Sequence, residues 1–368
     1  MSIGANALQL DAGSNAGPRR EPACPITYAV AMQVYIRVSP YAPVQEVVDF
    51  TQRVEAAGFD GIGFLDSQMI NRDLFVTMAL AGAATSRIKL ITAVTNPVTR
   101  HVSVLANAAT TVDDVAPGRV VIWIGRGFSA VNLAGLPEAS TQQLRQSITQ
   151  LRALIAGGWN AIPGVESHMR TGGRSIPVYL AAAGPRTTRL AGEVADGLLM
   201  AGGWEPERWQ STRGIIDAEA TKAGRNPEAM GMCVQLLTCI RPTREEALRD
   251  AGPMLVLRLD QPAWLEAQGI DAHGLRTPQA LHDLYPDPMH TEDQEAALAA
   301  AETVPLELRA QIADVLGIVG TPEDAVEHLR QVAAAGVSEV FLRTVNTLSF
   351  PEGEVALAPK YLAAVRQT

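Results

Sequence analysis

The segment Ile88-Lys89-Leu90-Ile91-Thr92-Ala93-Val94-Thr95-Asn96-Pro97-Val98-Thr99-Arg100-His101 decides how the rest of the chain is read. Its first half is apolar and β-branched; its second half turns to Thr, Asn, Pro, Arg and His. A continuous apolar run is what a strand buried on both faces requires, and such strands belong to parallel sheets covered by helices. A polar stretch at the end of a buried strand marks where the sheet opens to a site. In barrels of alternating strands and helices the chemistry sits at those strand ends.

Outward from this segment the two patterns alternate. Strands are expected at Tyr28–Val38, Gly61–Asp66, Ile88–Thr95, Arg119–Gly125, Ile176–Ala183, Gly197–Ala201, Met232–Ile240 and Val337–Val345. Helical spacing of apolar residues falls between most of them, as in Val44–Ala57 with Gly58 as a stop. Thr321-Pro322-Glu323-Asp324 supplies an N-cap, a proline in the first turn and early acids for a late helix. Eight strands separated mostly by helices predict an α/β fold, a single (β/α)8 TIM barrel with insertions.

The 368 residues are 47% hydrophobic and 19% charged, enough for a large core. A net charge of −9 argues against a nucleic-acid or anionic-membrane partner, which needs clustered Lys and Arg. No apolar run reaches the roughly 18 residues of a membrane span. Cys24, Cys233 and Cys239 have neither disulfide nor zinc spacing, so the expected compartment is reducing and cytoplasmic. Residues 1–25 lack periodicity and read as a disordered arm, leaving 26–368 for the barrel. Arg19-Arg20 is followed by Glu21-Pro22-Ala23-Cys24-Pro25 and not by the apolar stretch of a twin-arginine signal. The stretch 243–316 is too long for one strand–helix connection. It is either a lid or binding loop, or a solvated excursion that only caps the barrel or builds a subunit interface.

Several strand ends carry candidate site residues. Gly125-Arg126-Gly127-Phe128-Ser129-Ala130 fits the GxGxxA dinucleotide pattern. It follows the fourth strand, not the first, and no strand-end acid follows about 20 residues on. A glycine turn at a barrel rim, where a flat ring can approach the backbone, is the better reading. Ala182-Ala183-Gly184-Pro185-Arg186-Thr187 joins a strand to a helix start, either an anion-binding N-terminus suited to a phosphate or an ordinary barrel turn. Gly202-Gly203 is a second turn of small residues. Asp66 either orients a cofactor edge or caps the next helix. His101 is either an acid/base group or a structural hydrogen-bonding residue. Asp271, His273, His282, Asp283 and His290 match no metal-ligand spacing, so no metal is expected. No nucleophile elbow or phosphate-binding Walker loop is present.

Taken together, Ala57-Gly58-Phe59-Asp60-Gly61 with Asp66, Val94-Thr95-Asn96-Pro97-Val98-Thr99-Arg100-His101, Gly125–Ala130, Ala181–Pro185 with Ala195-Asp196-Gly197, and Gly320–Asp324 resemble the bacterial luciferase-like superfamily. The likeness is to the branch containing methylenetetrahydromethanopterin reductase and related deazaflavin-dependent enzymes. It spans roughly residues 28–240 and 317–345, with five loose motifs in the right order. The resemblance implies a flavin or deazaflavin at the C-terminal mouth, a non-prolyl cis peptide at Ala93-Val94, and Thr95 and Asn96 against the ring. It implies further that Gly125, Gly127 and Ser129 flank the ring or its ribityl chain, and that Ala182, Ala183, Gly184 and Thr187 receive the phosphate. Two departures stand out. Phe128 replaces an acid common in the reductase branch. Ser67 follows Asp66 where deazaflavin-dependent glucose-6-phosphate dehydrogenases carry a catalytic His, which argues against sugar oxidation of that kind.

The expected function is an oxidoreductase passing a hydride between coenzyme F420 or FMN and a small organic substrate, with Asp66, Asn96 and His101 as the catalytic candidates. The alternatives are a two-component monooxygenase using FMNH2, and a non-catalytic flavin-binding barrel. A barrel aldolase or isomerase would need a strand-end Lys or paired carboxylates, where Gln235 and Arg343 stand instead. A homodimer is expected.

Overall fold

The computed structural model describes residues 32–345 and 347–366. The expected arm at 1–25, and the beginning of the first expected strand, lie outside the described residues. Nine parallel strands follow one another: β1 (Gln33–Val38), β2 (Gly61–Phe64), β3 (Lys89–Thr95), β4 (Val120–Ile124), β5 (Val178–Ala182), β6 (Gly197–Met200), β7 (Gly231–Ile240), β8 (Gly317–Gly320) and β9 (Glu339–Thr344). Neighbours pair in sequence from β1 to β7; β7 then pairs with β9, and β9 with β1, which closes a ring of eight. The fold is a TIM barrel.

The ninth strand was not anticipated. β8 pairs with Leu237–Ile240 at the C-terminal end of β7. Leu237 and Thr238 pair with β9 as well, so β8 lies on the edge of β7 that β6 occupies lower down. Its four residues leave too short a run to announce a strand.

Alternation along each strand divides the core in two. On β1, Val34, Ile36 and Val38 pack outward against the helices, while Tyr35 points inside. The interior holds Tyr35, Ile91, Trp123, Cys233 and Phe341, with Trp123 edge-on to Phe341 at 4.9 Å between ring centroids. Glycines on β2 make room for these rings. A Cβ on Gly61 would stand 2.7 Å from Tyr35, and one on Gly63 2.7 Å from Phe341.

The insertion has a core of its own. Helices Arg244–Asp250, Gln294–Glu302 and Leu306–Leu316, with shorter turns between them, enclose Leu255, Leu259, Leu265, Leu281, Ile312 and Leu316. Leu237, Cys239 and Val345 join that cluster from the barrel strands. A buried apolar cluster of this size is packed structure and not a solvated excursion.

Candidate active site

The end of β3 is where the site is built. The Ala93–Val94 peptide is cis, as the resemblance implies. The pairing of β3 with β4 shifts register between Thr92 and Thr95, a bulge that re-aims the strand end. At the irregularity the Thr92 hydroxyl takes over ladder bonding, accepting from the Trp123 N–H and donating to the Trp123 carbonyl, each at 2.8 Å.

Next to this bulge lies a cleft of about 530 Å³ at the C-terminal ends of β2 to β6. Ala93, Val94, Gly125 and Gly127 line it on one side, Ala182, Ala183, Gly184 and Thr187 on another, with Asp66 and Ser129 between. All ten were expected in the site from sequence. A Cβ on Gly125 would stand 2.9 Å from Val94 Cγ2 and 3.8 Å from Ala181 Cβ, so only glycine keeps the floor of the cleft flat. Gly127 has φ +80°, a left-handed conformation that favours glycine.

Three expected site residues take other places. Thr95 and Asn96 are fully buried and do not line the cleft. Thr95 Oγ1 donates to Asp66 Oδ2 at 2.7 Å. Asn96 Oδ1 accepts from the N–H groups of Val98 and Thr99 at 3.0 and 2.9 Å, closing the turn after β3, while its Nδ2 has no partner among the described residues. Gly127 presses against it: a Cβ there would stand 3.2 Å from Asn96 Cγ. His101 is exposed and serves as N-cap of helix Val102–Val115, its Nδ1 accepting from the Ser103 N–H at 3.3 Å. The helix start needs a side-chain acceptor there, and this holds the imidazole outside the cleft.

Asp66 is an ion-pair partner. Arg100 reaches its two oxygens with Nε and Nη2 at 3.3 and 3.2 Å, and gives Nη2 to Asp73 at 2.9 Å as well. Asp73 in turn caps helix Leu74–Ala84. Burial works to raise the Asp73 carboxyl, but the Val76 N–H, Arg100 and the Phe75 N–H outweigh it and hold it below the usual range. Burial likewise opposes the charge on Arg100, and the two carboxylates overcome it.

Some lining residues were not anticipated. Ser67 Oγ lies 2.6 Å from Ser129 Oγ, joining the β2 and β4 loops across the cleft. Glu138 sits at the edge, paired with Arg126 at 3.3 Å. Arg208 staples the far rim by donating to the carbonyls of Ala201 at 2.6 Å, Ala183 at 3.4 Å, and Gly203. Its helix position gives no hint of this in sequence. Among the described residues no three His, Cys, Asp or Glu side chains gather as a metal would require. His273, His282 and His290 each pair with one aspartate: Asp271, Asp260 and Asp287.

Comparison with known proteins agrees with this fold. The family model described as luciferase-like monooxygenase matches residues 25–339. The chain belongs to the luciferase-like monooxygenase family. A luciferase-like relative, the 5,10-methylenetetrahydromethanopterin reductase of Methanolobus tindarius, is 26% identical over 323 residues, 83% of this chain and 92% of its own. The F420-dependent glucose-6-phosphate dehydrogenase of Nocardia farcinica is 30% identical over 280 residues, 72% of this chain and 75% of its own. The solved coenzyme F420-dependent tetrahydromethanopterin reductase of Methanopyrus kandleri superposes with a TM-score of 0.74 at 21% identity, covering 91% of this chain and 99% of that one, and shares the fold. These relatives are oxidoreductases, and this luciferase-like chain is an enzyme of that class.

Proposed function

We propose that the protein transfers a hydride between coenzyme F420 and a small organic substrate, with the cofactor seated in the cleft at the ends of β2 to β6. The observation that carries this reading is the wall of small residues that ends at an uncapped helix. Ala93, Gly125, Ala182 and Ala183 offer a flat apolar surface, and a Cβ on Gly125 would fill the cradle beside Val94. At the far end helix Pro185–Val194 starts at Gly184 with no side chain capping it, and a Cβ on Gly184 would meet nothing within 4 Å. Free N–H groups and open space at a helix N-terminus suit a phosphate. The residues present therefore fit a ring with a phosphorylated tail.

Bound there, a deazaflavin supplies the hydride acceptor and donor. The chain's own residues do the positioning. Val94 and Ala93 form one face of the slot. The Ser67–Ser129 hydroxyl pair closes the gap between two loops at 2.6 Å. Asp66 holds the strand end through Thr95 and Arg100. A carboxylate engaged in this way is a positioning residue and not a proton carrier, and His101 lies too far out for that role. We assign neither to acid/base work.

Titration of the purified protein with F420 and with FMN, in both redox states, tests the reading. Binding of F420, with no oxidation of an organic substrate when FMNH2 and oxygen are supplied, is the expected result. Oxygen consumption coupled to oxidation of an organic substrate by FMNH2 would overturn it in favour of a monooxygenase, the activity in the family's description.

A further inference from the structure

The barrel mouth is charged on the side that the cleft leaves free. Alternation along β1 puts Tyr35 inside the barrel, so Arg37 comes to the same face two residues nearer the mouth. β9 does the same with Phe341 and Arg343. The two strands run in register, Tyr35 beside Phe341 and Ile36 beside Leu342, which brings Arg37 and Arg343 up side by side. A third guanidinium, Arg258, comes from the turn Leu257–Asp260 of the insertion and bears electrostatically on Arg343.

Among the described residues, what Arg343 and Arg258 touch is short of negative charge. Arg37 is 6% exposed and donates to the Thr344 carbonyl. Arg343 gives Nη2 to the Met289 sulfur at 3.5 Å. Arg258 donates to Gln261 Oε1 at 2.9 Å and lies 5.2 Å over the Trp264 ring. Among the described residues no carboxylate forms an ion pair with Arg343 or Arg258. Burial and the neighbouring Arg343 charge both work against the charge on Arg37. Burial, then Arg258, bring Arg343 down to about 10. Like charges side by side on adjacent strands cost stability, and arrangements of this kind concentrate at functional sites.

We propose that Arg343 and Arg258, with Arg37 beside them, hold the carboxylate or phosphate of an anionic substrate across the mouth from the cofactor cleft. Paired guanidinium forks match such groups in geometry as well as charge. The ring below Arg343 reaches the strand that floors the cleft: a Cβ on Gly63 would stand 2.7 Å from Phe341, two residues below Arg343, and 2.8 Å from Ala93. The role of substrate anchor rests on the redox reading above, but the anion site itself is measurable without it.

The test uses the full chain, first without cofactor. Calorimetric titration and thermal unfolding are followed with succinate, benzoate and the neutral benzamide. Binding of at least one anion and not of benzamide is expected, weakened about tenfold or more in Arg343→Gln. Because that substitution removes a repelled charge, the variant's midpoint without anion should equal or exceed that of the wild type. Arg258→Gln, on a partly exposed turn, should show the same loss with the barrel strands untouched. No anion binding by the wild type, or equal binding by wild type and both variants, overturns the proposal. In a separate F420 titration both variants should bind like the wild type. Lost cofactor affinity with intact anion binding would also overturn it, by giving the arginines to the cofactor tail. Failure of F420 to bind the wild type would sink the redox reading alone.

Discussion

Arg100 grips Asp66 through both Nε and Nη2, at 3.3 and 3.2 Å, while the same carboxylate accepts the Thr95 hydroxyl at 2.7 Å. The side chain of Asp66 is 3% exposed and that of Arg100 19%, so the pair is shielded from water on one side only. Three chain segments, the end of β2, the end of β3 and the following turn, are tied at this point. Arg100→Gln leaves Asp66 buried without its cation, and a loss of about 3 kcal/mol in unfolding free energy is expected. Thr95→Val should cost about 1 kcal/mol. Denaturant unfolding measures both, and unchanged midpoints would remove the pair from the structural account.

Gly125→Val tests the flat floor of the cleft. A Cβ stands 2.9 Å from Val94 Cγ2, so the added side chain must enter the slot. Cofactor affinity should fall by about tenfold or more, a loss of at least about 1.4 kcal/mol, with the fold retained by circular dichroism. Wild-type affinity in this variant would move the ring elsewhere.

Asn96→Ala removes the acceptor that closes the turn after β3. Two N–H groups, of Val98 and Thr99, lose their partner, and about 1–2 kcal/mol of stability should go with them. Turnover should fall as well, because this turn carries Arg100. Full activity in a destabilised Asn96→Ala protein would show that the turn matters to folding alone.

His328 should set an acid limit on stability. Trp204 Nε1 donates to His328 Nε2 at 2.8 Å, which requires a neutral imidazole, and burial lowers its pKa to about 4. In the unfolded chain an imidazole titrates near about 6.5. Between these values the unfolded state binds the proton and the folded state does not. Stability is therefore complete above about pH 6.5 and declines as pH falls toward 4, by up to about 3 kcal/mol. His328→Gln should flatten that part of the pH–stability curve. An unchanged slope in the variant would assign the acid sensitivity to other groups.

Much of this architecture was legible in the chain. Runs such as Lys89–Thr95 are dominated by apolar and β-branched residues because the strand is covered on both faces, and that pattern survives in one dimension. The glycine and alanine turns at 125–127 and 182–184 were legible for a related reason, since small residues at strand ends leave space that something must use. β8 and the helices inside the insertion were not. Four residues carry no periodicity, and helices as short as Pro262–Ala267 and Gln279–His282 hardly complete a turn of pattern before they stop.

Side-chain direction marks the boundary between the two kinds of knowledge. By itself the sequence determined the barrel and the strand ends that bear the candidate site, because these follow from hydrophobic periodicity and local turn chemistry; the family followed from the resemblance of its motifs. Whether Asn96 faced the cleft or its own turn, whether Asp66 was free or paired, and where His101 pointed depended on the bulge in β3 and on contacts made across the fold. The three arginines at the mouth come from the first strand, the last strand and the insertion. Only closure of the barrel brings them together, since the energy of like charges depends on distance in space and not on separation along the chain.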